Sequence, residues 1–147
     1  MLWLIITILI VMADQLVKWV IASNAALGEI VLSLPGFDIM YVKNTGAAFS
    51  ILSDKVPFLA IISIVFCVAA VVYWIKKKPQ HPLLCTSLVL LFSGALANAL
   101  DRIFRGYVVD YISATFVDFP VFNIADIAIT IGAVLLVIYV IFFDKSE

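Results

Sequence analysis

The chain has 147 residues, 65% of them hydrophobic and 13% charged, with nine Lys and Arg against ten Asp and Glu for a formal charge of −1. So little charge excludes a freely soluble enzyme of this size, and the lack of a basic balance excludes a nucleic-acid binder, so integration into a membrane is expected. Cys67 and Cys85 lie inside apolar runs and His81 stands alone in a short loop, so no disulfide framework, metal site or cofactor is expected.

The uncharged run from Met1 to Ala13 is too short to cross a hydrocarbon core of about 30 Å, but becomes long enough as a helix over about 2–22 that takes in Asp14 and Lys18. Those two residues are four apart and read as a structural ion pair on one helix face. A cleaved signal peptide is a poorer reading, because no basic residue precedes the run and Asp14 interrupts it before any small-residue cleavage site.

The connection over 23–55 is too long for a simple helix hairpin. Ile30, Leu32 and Leu34 alternate, Pro35-Gly36 signals a turn, and Phe37, Ile39 and Tyr41 alternate again, which predicts a β-hairpin lying against the membrane surface. The small-residue stretch NTGAAFSIL that follows reads as a close-packed turn or a short interfacial helix.

Two further spans are expected over 56–75 and 82–101, both within uncharged runs long enough to cross unaided. Lys76, Lys77 and Lys78 cluster in the short connection between them, and Lys145 follows the last span, which predicts that this end and both termini are cytoplasmic. A second long connection, over 102–122, leads to a fourth span over 123–143 that takes in Asp126. The expected architecture is an all-α membrane protein, one integral domain over 1–147, with four transmembrane helices, a small extracytoplasmic β-hairpin or cradle and a short interfacial segment.

That orientation gathers Asp101, Asp110 and Asp126 at one membrane face. Asp101 has a structural partner in Arg105 one turn on, and Asn123 with Asp126 three residues later has the form of an N-cap and capping box. Asp110, set in YVVDYIS between apolar residues, has the weakest structural reason to be there. A buried carboxyl without a fixed partner costs several kcal/mol or holds its proton, which points to function. Two carboxylates that approach closely share one proton, so that one serves as base toward water and the other as acid toward a carbonyl oxygen, the chemistry of aspartic peptide hydrolysis. No HExxH or GxSG motif is present, and no serine has a lysine at a telling spacing.

Five segments resemble, in order, the motifs of the bacterial type II signal peptidases, or lipoprotein signal peptidases: DQLVK (Asp14 to Lys18), NTGAAF (Asn44 to Phe49), NALDR (Asn98 to Arg102), VVDY (Val108 to Tyr111) and FNIAD (Phe122 to Asp126). The resemblance spans almost the whole chain. It implies an intramembrane aspartic endopeptidase of the bacterial cytoplasmic membrane, active at the outer leaflet, that removes the signal peptide from diacylglyceryl-modified prolipoproteins just before the lipidated cysteine; a monomer is expected. It implies Asp110 and Asp126 as the catalytic pair, Asn44, Asn98, Asp101, Arg102 and Asn123 as substrate-binding or dyad-supporting residues, and Asp14 and Lys18 as architectural support. Ala97 departs from the pattern, since the family usually has glycine there. The implied partners are the lipidated precursor and membrane lipids. Two other classes compete on the residues alone: a small proton-coupled transporter using Asp14, and an assembly factor whose acids only cap and pair.

Overall fold

The computed structural model describes residues 1–46 and 55–144. Four helices, α1 (Leu2–Asn24), α2 (Val56–Lys77), α3 (Pro82–Phe104) and α4 (Ile124–Phe142), are each long and apolar enough to cross a bilayer. Three strands, β1 (Ile30–Leu34), β2 (Phe37–Asn44) and β3 (Val108–Ala114), form an antiparallel sheet in the order β1-β2-β3. The spans thus fall where the uncharged runs put them, with α1, α2 and α3 each continuing two or three residues past the expected end.

The hairpin forms as expected around Pro35-Gly36, where Gly36 at φ 96° supplies a left-handed turn position. Its first strand nevertheless buries no side chain. β1 is an edge strand with no layer over either face, so its alternation of apolar residues has no core to meet. The third strand was not predicted. Its sequence VVDYISA pairs with β2 across a long separation, with Val42 opposite Asp110 and Asn44 opposite Val108. Of the NTGAAFSIL stretch, Asn44 ends β2, while residues 47–52 lie outside the described residues.

α3 is the centre of the bundle: half of its most apolar stretch is buried, against 17% for each other span. The reason is visible in its composition, because Ser87, Ser93, Gly94, Ala97 and Ala99 are small enough to let neighbouring backbones approach. At Gly94 an added Cβ would lie 2.3 Å from the Ala125 carbonyl oxygen, and at Gly132 one would lie 2.9 Å from Leu91. α3 and α4 therefore approach closely at both places. α2 and α4 both pack on α3 without substantial contact with one another, which leaves a cleft between them.

The sheet sits across the end of the bundle where α1 and α3 finish and α4 begins. Ile21, Tyr41, Val109 and Tyr111 form a small core there, with Val17, Ile39 and Ile124 packed around it. Because strand side chains alternate, burying Val109 and Tyr111 against α1 turns Val108 and Asp110 the other way, into a cavity.

Candidate active site

The cavity has a volume of about 790 Å³ and lies at the sheet end of the α2–α4 cleft. Asp110 enters it from β3 and Asp126 from the first turn of α4. The chain puts Asp126 there through its helix cap. Asn123 accepts a hydrogen bond from the Asp126 backbone N–H at 2.9 Å, and Asp126 Oδ2 accepts one from the Asn123 N–H at 3.2 Å, the reciprocal capping box that the sequence predicts.

Asparagine amides hold both carboxylates. Asp110 Oδ1 accepts from Asn123 Nδ2 at 2.6 Å and Asp110 Oδ2 from Asn44 Nδ2 at 2.8 Å. Asp126 Oδ1 accepts from Asn98 Nδ2 at 2.8 Å. Asn123 bridges the two acids, since its amide donates to one and its side-chain oxygen caps the helix that begins with the other. It also donates to Asn98 Oδ1 at 3.3 Å, which ties the three elements together.

Asp110 is 2% exposed, and burial together with the neighbouring Asp126 pushes its carboxyl up to about 7, against the opposing pull of the Asn44 and Asn123 amides. Near neutral pH the pair therefore carries a proton that two exposed carboxyls would have lost. Arg102 also lines the cavity, where its guanidinium feels the charges of Asp126, Asp110 and Asp101 and donates to the Gly46 carbonyl at 3.2 Å.

Behind the cavity lies a second, sealed cluster. Lys18 is fully buried and reaches Asp14 at 2.8 Å, Asp101 at 3.0 Å and Asn98 Oδ1 at 2.8 Å. Asp14 Oδ1 accepts from the Ala125 N–H at 2.9 Å, and Asp101 Oδ2 from the Val109 N–H at 3.1 Å. The Asp14 and Lys18 pair expected from their spacing is present, but it is one corner of a network that joins α1, α3, β3 and the start of α4. Arg105 pairs with Asp101 at 3.3 Å, as its spacing suggested.

All nine residues singled out from the sequence belong to these two joined clusters. Gln15 was missed. Its amide donates to the Ala97 carbonyl at 3.1 Å and to Asp101 Oδ1 at 3.2 Å, bracing α1 on α3. The one available signal was its place between Asp14 and Lys18, a third polar residue within a single turn of an apolar helix. Ala97, where the resemblance leads one to expect glycine, is fully buried and offers its carbonyl to this contact, away from the two acids.

A family model for signal peptidase (SPase) II matches residues 6–142 of the chain. The chain belongs to the signal peptidase II family. Among its relatives, lipoprotein signal peptidases, one from Staphylococcus aureus is 40% identical over 92% of this chain and 85% of its own. One from Streptococcus thermophilus is 39% identical over 85% and 82%, and one from Lactobacillus johnsonii 36% identical over 99% and 96%. A solved bacterial membrane enzyme, determined in meso at 2.3 Å, superposes with a TM-score of 0.90 at 37% identity, covering 99% of this chain and 92% of the other. A second, at 1.9 Å, gives a TM-score of 0.85 at 38% identity, covering 97% and 94%. This signal peptidase II family member is thus a multi-pass membrane protease with a three-stranded sheet at one end of its helices.

Proposed function

We propose that the protein removes signal peptides from diacylglyceryl-modified prolipoproteins as an aspartic endopeptidase, cutting just before the lipidated cysteine, with Asp110 and Asp126 as the catalytic pair. The observation that carries this reading is the pairing itself: two carboxyls from different elements face one cavity, joined through Asn123, with a proton retained near neutral pH.

In this mechanism the protonated Asp110 donates to the scissile carbonyl oxygen. Asp126, as the carboxylate of the pair, takes a proton from a water whose oxygen attacks the carbonyl carbon. The resulting gem-diol collapses as Asp126 passes that proton to the leaving amide nitrogen, the C–N bond breaks, and a proton returns to Asp110. Asn44, Asn98 and Asn123 hold the two carboxyls at fixed angles throughout. Asp101, Asp14 and Lys18 act behind them by fixing Asn98 and the start of α4.

The whole chain works as one integral membrane domain and as a monomer, every residue of the site coming from one copy. Lys76, Lys77 and Lys78 at the end opposite the acids support cytoplasmic termini and a site at the outer face of the bacterial cytoplasmic membrane. A substrate anchored there by acyl chains reaches the cavity sideways through the α2–α4 cleft, so its apolar helix stays in lipid. The transporter reading loses its basis, because Asp14 is fully buried and committed to Lys18 and Ala125.

The test is to incubate the purified protein with a lipid-modified precursor peptide and its unmodified twin. Cleavage of the lipidated form alone is expected. Equal cleavage of both would remove the lipoprotein specificity, and an active Asp110→Asn variant would remove the assignment of the pair.

A further inference from the structure

Hydroxyl groups inside a membrane helix ordinarily return to the backbone one turn back, because an unpaired polar group in lipid costs free energy. Five of those in the four spans do so: Thr7 donates to Trp3, Ser63 to Leu59, Thr86 to Pro82, Ser87 to Leu84 and Ser93 to Val89. Among the described residues, the Thr130 hydroxyl makes no hydrogen bond although it stands well inside α4, whereas the Tyr73 and Tyr139 hydroxyls, which also make none, lie in the last turns of α2 and α4. Ser23 also makes none, but it is exposed at the last turn of α1. Thr130 is exposed on the cavity wall four residues after Asp126, so it lies on the same helix face about 6 Å deeper in the membrane.

Its position matches a need of the substrate under the proposed function, on which this inference rests. A signal helix entering the α2–α4 cleft must stop being helical before the bond that is cut, since a protease needs that peptide extended and open. The last turn of any helix leaves up to four carbonyl oxygens without an internal partner, and in lipid each needs a donor from elsewhere. With the scissile bond at Asp110 and Asp126, those carbonyls fall roughly one turn deeper, at the level of Thr130. Ser63 faces the same cavity from α2, but its hydroxyl is already committed to Leu59.

We propose that Thr130 is a specificity-determining residue, its hydroxyl donating to a backbone carbonyl in the last turn of the substrate's signal helix. The contact holds the helix end at one depth and so fixes which peptide bond meets the acids.

Thr130→Val keeps the shape and removes the donor, and Thr130→Ser keeps the donor. With a lipidated precursor in bilayer discs, the Val variant should raise KM about fivefold, the size of one neutral hydrogen bond, with kcat within about twofold of wild type. The Ser variant should restore KM. Unchanged KM in a folded Val variant, or a Ser variant as impaired as Val, overturns the assignment. A precursor with ether-linked chains, which lacks the lipid ester carbonyls, should show the same Val penalty. Loss of that penalty would mean that Thr130 holds the lipid and would overturn the peptide assignment. If the wild-type protein cleaves no lipidated precursor, the proposed function fails and this inference with it, whereas a cleaving wild type matched by Val removes the inference alone.

Discussion

Asn123 and Asp110 are joined by a 2.6 Å hydrogen bond from the asparagine amide to the carboxyl, while the same asparagine's oxygen caps α4. One side chain thus performs two separable tasks, starting the helix that carries Asp126 and aiming Asp110. A serine at this position is as good a cap as asparagine but has no amide to reach Asp110.

Asn123→Ser should therefore keep the cap and lose only the amide contacts to Asp110 and Asn98, lowering thermal stability less than Asn123→Ala does while lowering kcat by about a hundredfold, the order of loss seen when a positioning hydrogen bond in a catalytic site is removed. Asn123→Ala should lose the cap as well, costing about 1 kcal/mol of stability. Thermal unfolding and peptide cleavage on the same preparations separate the two effects. A Ser variant with normal turnover would show that the bridge to Asp110 is dispensable.

The carboxyl of Asp110, pushed up to about 7 from an ordinary 3.8, sets the direction of the pH dependence. Between those two values the folded chain binds a proton that the unfolded chain has released. Its contribution to stability is complete below 3.8 and is lost as pH rises through about 7. Because the neutral form is the acid in the proposed mechanism, kcat/KM should fall about tenfold per pH unit above that point. The Asn44 amide favours the charged form, so Asn44→Ala should move the falling limb to higher pH while lowering the maximum rate. A limb that stays in place in that variant would detach Asp110 from the profile.

The four spans were legible because lipid demands long uncharged runs, a property of neighbouring residues in the sequence. The Asn123 and Asp126 cap was legible for the same reason, since its signal spans three residues. β3 was not. The strand is defined by pairing with β2, and the bond from Asn44 to Asp110 crosses 66 positions. Periodicity tells which face of an element is apolar and is silent about what that face meets. Lys18 shows the limit well: its spacing from Asp14 announces an ion pair, whereas its contacts with Asn98 and Asp101 exist only once α1 packs on α3.

The sealed cluster makes Lys18 the more costly residue of its pair to lose. Lys18→Met would leave Asp14 and Asp101 facing each other without their shared cation, an arrangement expected to cost about 3–5 kcal/mol. It would also release Asn98 Oδ1, so activity should fall with stability. Asp14→Asn retains an oxygen for the Ala125 N–H and leaves Lys18 paired with Asp101. That variant should lower the unfolding temperature more than the turnover per folded molecule. A fully stable but inactive Asp14→Asn protein would show that Asp14 belongs to the chemistry and not to its support.

Gly94 offers a test of how helix contact positions the acids. A Cβ there would lie 2.3 Å from the Ala125 carbonyl oxygen and 2.7 Å from Ile129 Cγ1. The isoleucine can rotate away, but the carbonyl can move only if the start of α4 moves with it, and Asp126 is the next residue. Gly94→Ala should therefore push Asp126 away from Asn98, lowering kcat as well as stability. Gly132→Ala is the matched control. Its clash is with Leu91 and the Ser87 carbonyl, about two turns deeper along α4, so it should destabilise the bundle while sparing turnover in the molecules that remain folded. Comparing turnover per folded molecule in the two variants decides the matter, because equal losses would mean that α4 responds to a displacement anywhere along its length as one rigid body.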